Sequence, residues 1–356
     1  MITISLCMIV KNEEDVLARC LESVKNMVDE IIIVDTGSED KTKEIAREFT
    51  NKIYDFEWIQ DFSKARNFAF SKATQDYQMW LDADDIVEPE ELEKMIKLKK
   101  MLNPSVDVVT MRYHTHFDAS GRPTLTSTRG RLFRRERNFK WEDAIHEYIL
   151  MSGNIQHEQI FISHKKQGVL SDRNIKIYEN LINEGMTLDP RQTYYYAREL
   201  MDHQRYEDAI EYFNRFLDDG LGWYEDNIAS CFNLSRCYQF IGKPNEILPV
   251  LFKSFQYDNP RAEICCQIGY FYKHLEDYKK AIFWFDLCLQ LEKSSRGFVL
   301  NDYWDYIPTI ELCACYWQLG DISKSHYYHL LVSELKPGSE AVAYNEEYFQ
   351  KNGIGE

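Results

Sequence analysis

Asp82-Ala83-Asp84-Asp85 places carboxylates on alternate residues directly after the apolar stretch Tyr77-Gln-Met-Trp-Leu81. Alternate carboxylates leaving the end of a strand can converge on one pocket. A hard divalent cation, Mn2+ or Mg2+, takes oxygen ligands and commonly shares them with substrate phosphates. A cation bridging a diphosphate neutralises the charge that builds on a departing nucleotide, which is what sugar transfer from a nucleoside diphosphate requires. An acidic turn capping the next helix would look the same, so the triplet alone leaves both readings open. Two other groups draw attention. Asp35 closes a second apolar stretch, and His146-Glu147 follows an arginine-rich segment, Arg129-Gly-Arg-Leu-Phe-Arg-Arg135. A histidine can complete a metal shell or donate to a phosphate, and a glutamate beside an acceptor can take its proton.

These residues need elements to position them. Ile2–Val10 is a continuous apolar run of the kind found in a strand covered on both faces. The segment 13–27 carries Val16, Leu17, Cys20, Leu21 and Val24 at helical spacing, and Glu30–Asp35 is a second buried strand that ends in the turn Thr36-Gly37-Ser38. A short strand over 53–58, a helix over 62–73, the strand before Asp82 and a helix opened by Pro89 complete a β-α-β-α order. That order implies a mostly parallel sheet with its ligand crevice beyond the strand C-termini, so Asp35 and Asp82–Asp85 should line one crevice. Beyond residue 105 the segments 106–116, 125–134, 139–150 and 160–164 read as strands of the same domain.

Four stretches in order resemble glycosyltransferase family 2, whose members have the GT-A fold: Met8-Ile-Val-Lys-Asn-Glu13; Val34-Asp-Thr-Gly-Ser38 with Asp40 and Thr42; Asp61-Phe-Ser-Lys-Ala-Arg-Asn67; and Trp80-Leu-Asp-Ala-Asp-Asp85. The resemblance covers about the first 150 residues. It implies that Asp35 contacts the nucleotide base, that Val10, Asn12 and Glu13 shape the nucleoside pocket, and that Arg66 lies near the diphosphate. It also implies that Asp82 lies near the ribose and metal and that Asp84 is the chief metal ligand. The Arg-Leu-Phe-Arg and His-Glu segments narrow the resemblance to a subgroup that includes lipopolysaccharide-core glucosyltransferases and bacteriocin S-glycosyltransferases. His146 is then the expected metal or diphosphate contact and Arg131 a further ligand contact. Glu147 or Asp143 is the expected base, and transfer is inverting.

The second half repeats. Ile268-Gly269, Tyr272, Tyr278, Ala281, Phe285 and Cys288 match the small and large positions of a tetratricopeptide repeat. Ala209, Ile247, Ala281 and Ser325 align as equivalents spaced by 38, 34 and 44 residues against a usual period of ~34, with inserted loop near 294–306. Such units must stack to bury their faces, and the concave face of an array commonly binds peptide. The expected organisation is a GT-A catalytic domain at 1–170, a helical repeat domain at 171–340 and a tail at 341–356.

A net charge of −16 argues against nucleic acid as a partner. Nine cysteines, with no CxxC pair, suit free buried thiols. The N-terminus reads as a strand rather than a signal peptide, no run reaches the ~20 apolar residues of a membrane span, and the expected location is the cytoplasm. The leading expectation is a metal-dependent glycosyltransferase that moves a hexose, from UDP, onto a protein or peptide, with a homodimer possible by analogy. The alternatives are a lipopolysaccharide or surface glycan acceptor, an inactive repeat-protein adaptor, and a nucleotidyltransferase. The last would need a Gly-rich triphosphate loop where Lys11-Asn-Glu-Glu14 stands.

Overall fold

The computed structural model describes residues 1–165, 171–294 and 297–354. The chain divides into two compact units, Met1–Glu184 and Gly185–Glu356.

In the first unit the strands β1 (Ile4–Val10), β2 (Glu30–Asp35), β3 (Ile53–Asp55), β4 (Tyr77–Trp80), β5 (Asp85–Ile86), β6 (Val108–Phe117), β7 (Pro123–Arg134) and β10 (Ile155–His164) lie in the order β3-β2-β1-β4-β7-β6-β10-β5. The β3-β2-β1-β4 half is parallel, as the alternation with helices demands, and β10 runs parallel to β6. β7 is antiparallel to both β4 and β6, so the sheet is mixed. Side chains alternate across β1. Leu6 and Met8 join the core built with α1 (Leu17–Val24) and α4 (Pro89–Met101), while Cys7 joins the opposite core with Ala69 and Phe70 of α3 (Phe62–Ser71). Cysteine here is packing material, and the thiols of all nine are free and buried.

Two expectations change. The segment 139–150 is not one strand. It holds only the two-residue strands β8 (Trp141–Glu142) and β9 (Tyr148–Ile149), paired with each other around a loop. Asp143 (φ 71°) and His146 (φ 53°) take left-handed backbone there, which no strand admits. The expected boundary at 170/171 touches residues 166–170, which lie outside the described residues. The helix that follows, α5 (Arg173–Asn183), belongs to the first unit and not to the repeat region.

The second unit is a stack of helical hairpins: α6 (Pro190–Asp202) with α7 (Tyr206–Asp219), α8 (Tyr224–Phe240) with α9 (Ile247–Lys253), α10 (Ala262–His274) with α11 (Tyr278–Gln290), and α12 (Tyr306–Gln318) with α13 (Ile322–Leu335). Ala209, Ile247, Ala281 and Ser325 fall on the second helix of successive hairpins. Gly269 is small for a reason of packing, since a Cβ there would stand 2.7 Å from the ring of Phe285. The expected tail is instead a further helix, α14 (Glu340–Lys351), which buries Val342 and Phe349 against the last hairpin, while residues 355–356 lie outside the described residues.

The long spacing between the last two repeats comes from the segment after α11, of which 295 and 296 are outside the described residues. Its later part crosses the first helices of several hairpins. Phe298 meets Arg198 of α6 (5.0 Å), and Tyr303 packs edge-on to Phe232 of α8 (5.7 Å). The Tyr303 hydroxyl accepts from Gln267 of α10 (3.4 Å), and Asp302 pairs with Lys336 beyond α13 (2.6 Å). Val299 and Trp304 are buried. The later part of the inserted segment therefore lies against the first helices of three hairpins. Among the described residues no helix is long and apolar enough to cross a membrane.

Candidate active site

The C-terminal ends of the strands meet in a cavity of about 620 Å3, within the usual range for small-molecule sites. Val10, Glu13, Arg66, Asp82, Asp84, His146 and Glu147 line it, together with Lys11, Phe62, His164 and Arg173.

Its floor is the turn after β4. Asp85 is fully buried with both oxygens occupied: Oδ1 accepts from the Tyr113 hydroxyl (2.7 Å) and lies 3.1 Å from His164 Nδ1, and Oδ2 accepts from the Asp82 amide (3.1 Å) and Arg131 Nη1 (3.2 Å). Arg131, expected to touch ligand, has no exposed surface. It lies under this turn, between the Trp80 ring (3.8 Å) and the Tyr113 ring (4.3 Å), and holds Asp85 and the Trp80 carbonyl. Its role is to brace the turn, and the ligand-contact expectation is corrected on that ground.

Asp84 is left facing the cavity, with His164 Nδ1 3.1 Å from its Oδ1. Asp82, Asp85 and His164 form a group whose donor atoms lie close enough together to hold a cation. Asp85 is saturated beneath the turn; Asp84 is outside that group but lines the cavity together with Asp82 and His164. Carboxylate oxygens suit a hard cation, and His164 adds one nitrogen. Burial opposes charge on His164, but hydrogen bonds to Asp84 and Asp85 outweigh it and raise the imidazole to about 10, a sign that this place favours a positive charge. Sequence reasoning chose His146 for this part. His146 lines the cavity from the β8–β9 loop, stacked on Tyr178 of α5 (6.2 Å), outside that group. His164 carried a usable signal, since it ends a strand at the crevice edge of the sheet.

Arg66 links the floor to the opposite wall. Asp61 caps α3 by accepting from the Lys64 amide, which fixes the start of the helix that carries Arg66. Arg66 is buried between the rings of Trp80 (5.0 Å) and Trp141 (4.8 Å) and donates to Asp82 (2.8 Å) and Glu147 (2.6 Å). Burial alone would raise the Asp82 acid, but Arg66 holds it down at about 2. Asn67 clamps the Trp141 backbone through both amide atoms, and the Phe62 amide donates to Ala144, so α3 fixes the β8–β9 loop. Of the two base candidates, Glu147 lines the cavity, and Asp143, on the same loop, is not among the lining residues.

The nucleoside end is built from loops. Asp35 is buried, and its Oδ2 accepts from the amides of Gly37 (3.1 Å) and Ser38 (3.0 Å). Asp35 Oδ1 is buried without a hydrogen-bond partner, Lys43 lies 3.5 Å from Oδ2, and Asp35 itself is not among the lining residues. Asn12, in left-handed backbone at φ 55°, accepts from the Glu39 amide through its side chain and donates its own amide to Ser38. It ties the two loops together and is not among the lining residues. Glu13 does line the cavity. Burial first, then the charges of Asp84, Asp82 and Asp40, push its carboxyl up to about 7.

Residues 5–152 match the glycosyl transferase family 2 model, and residues 262–295 match the tetratricopeptide repeat. A TPR repeat-containing protein of Synechococcus elongatus is 39% identical over 149 residues, which are 42% of this chain and 36% of that protein. The SPbeta prophage-derived glycosyltransferase SunS of Bacillus subtilis is 30% identical over 234 residues, 61% of this chain and 54% of the relative. The putative glycosyltransferase EpsH of Bacillus subtilis is 31% identical over 126 residues, 33% of this chain and 36% of the relative. The chain thus spans about half the length, or less, of these curated relatives.

Proposed function

From a chain that carries a glycosyltransferase family 2 domain and tetratricopeptide-type repeats, we propose an inverting, metal-dependent transferase. It moves a sugar from a nucleoside-diphosphate donor, a UDP-hexose, to a protein or peptide. The observation that carries the proposal is the convergence of Asp84, Asp82 and His164 with the Arg66–Glu147 pair in one cavity at the strand C-termini.

Asp84, Asp82 and His164 would hold Mn2+ or Mg2+, which when bound offsets charge on the leaving diphosphate. Asp35 Oδ1 would accept from the base, with Val10 and Glu13 walling the nucleoside side. Asn12 supports that wall through Ser38 and Glu39. Glu147 is the base that takes the acceptor's proton. Arg66 sets its direction through the hydrogen bond it donates to Glu147, and Asp143 shapes the loop. His146 lines the acceptor side of the same cavity. The protein-acceptor assignment rests on the resemblance to bacteriocin S-glycosyltransferases. The homodimer considered by analogy has no support in the relatives or the chain and is set aside.

Calorimetric titration of UDP, GDP and dTDP, with and without Mn2+, on wild type and Asp84→Ala tests the donor site. Metal-dependent binding of one nucleotide, lost in the variant, is the expected result. No binding of any nucleotide would sink the transferase reading and promote an inactive adaptor. Transfer to free glycans but not to peptides would move the acceptor to a surface saccharide.

A further inference from the structure

The cavity lining contains three Lys or Arg side chains among the described residues: Lys11, Arg66 and Arg173. Arg66 is committed, with one arm on Asp82 and another on Glu147. The nearby Arg131 is sealed beneath the floor. Lys11 follows β1, whose last residue Val10 accepts from Thr36, so it belongs to the nucleoside end. Arg173 enters from a different element, on the first turn of α5. Its guanidinium carbon lies 4.7 Å from the centre of the Phe62 ring, at the start of the helix that bears Arg66. Its charge also reaches Glu13, whose carboxyl it acts to lower against burial and the floor carboxylates.

The direction of Arg173 is set by packing. Ile175, Ile177 and Tyr178 bury the inner face of α5, and Tyr178 stacks on His146 of the β8–β9 loop. The helix is therefore docked beside the β8–β9 loop, and its exposed first turn brings Arg173 into the lining that also holds Asp82 and Asp84. A diphosphate brings more negative charge than one divalent cation cancels, and the walls add Glu13 and Asp84. A guanidinium stacked on an aromatic ring offers a pre-oriented fork matched to two phosphate oxygens.

We infer that Arg173, on the helix after the catalytic sheet, is the side chain that grips the diphosphate of the donor. This rests on the donor reading above. Arg66, the arginine that the resemblance points to, instead positions Glu147 and Asp82.

The test compares UDP with UMP, each with Mn2+, by calorimetry or by displacement of a fluorescent nucleotide. The proteins are wild type, Arg173→Ala, Arg173→Lys and Lys176→Ala, the last a surface residue one turn along the same helix. If GDP or dTDP is the nucleotide bound, that diphosphate and its monophosphate replace the pair. Arg173→Ala is expected to weaken the diphosphate roughly tenfold or more and leave the monophosphate unchanged. Arg173→Lys recovers part of the loss, and Lys176→Ala matches wild type. Equal binding of UDP by Arg173→Ala and wild type overturns the assignment while the donor site stands. An equal loss of UDP and UMP overturns it too, because it would mean a collapsed nucleoside pocket. Wild type that binds none of the three nucleotides removes the donor site, and this assignment with it.

Discussion

The two units solve the problem of burial in opposite ways. The first buries charge. Arg66, Arg131, Asp35 and Asp85 sit inside it, each carboxylate or guanidinium held by named partners at strand ends. The second buries aromatic rings and thiols: Phe213, Phe216, Phe285, Cys265, Cys266 and Cys288 lie at repeat positions where neighbouring helices close over them. Buried ion pairs seldom add stability over a well-packed apolar core, and their retention needs another reason. In the first unit that reason is the cavity they frame. The second buries some charge too, as in the Arg261–Glu225 pair and Glu199, but its repeat positions are filled mostly by rings and thiols, and packing accounts for those.

The largest effect should come from the charge-built floor. Asp84→Ala should reduce transfer by about a thousandfold or more while the melting temperature stays near wild type. Full activity in the presence of a strong chelator would break the contrast at its root. Next come substitutions that damage each kind of core. Arg66→Met should cost about 3–5 kcal/mol in urea unfolding, because it strands Glu147 and Asp82, and should also abolish transfer. Phe285→Ala should cost about 3–5 kcal/mol through the cavity it leaves, with nucleotide binding unchanged. Gly269→Ala should cost about 1–3 kcal/mol, since its methyl meets the Phe285 ring. An Arg66→Met protein that still transfers sugar would turn the buried pair into mere structure.

The smallest effects are in pH, and they have opposite signs. At Glu30, burial is outweighed by hydrogen bonds from Lys52, Ser5 and Thr74, and the acid falls to about 2. Its stabilisation is complete above the unfolded value near ~4.3 and is lost as pH falls toward 2. At Glu263 in α10, burial raises the acid to about 7 against the pull of Arg261 and with the help of Glu225. Its contribution is complete below the unfolded value and is lost as pH rises through 7. Unfolding measured from pH 3 to 8 should show Glu30→Gln flattening the acid limb and Glu263→Gln flattening the neutral one. No change in either limb would break the assignment of these groups.

The sequence made the strand-end carboxylates legible because each follows an apolar run, and periodicity needs no partner to be read. Asp84 is read for that reason, whereas Glu147 is read from the resemblance alone. What escaped was partnership. Arg131 and Arg66 look alike as residues, and only the fold seals Arg131 between Trp80 and Tyr113 and turns Arg66 toward Glu147. The sequence singles out His146 alone, and His164 comes forward only when β10 is placed beside β5 with its end at the floor turn. The segment 139–150 looked like a strand by composition, and its two left-handed residues are not visible in composition.

The segment that crosses the repeat helices also changes how the array should come apart. In a plain stack each hairpin touches its neighbours alone, and loss can fray inward from an end, one repeat at a time. Here Phe298 reaches α6, a hundred residues earlier in the chain, Tyr303 reaches α8 and α10, and Asp302 is held by Lys336. The first hairpin cannot be released without uncovering a segment anchored near the last. The array is thereby closed into a loop of dependencies, so its helices should gain and lose protection from hydrogen exchange together, at the cost of slower folding through long-range closure.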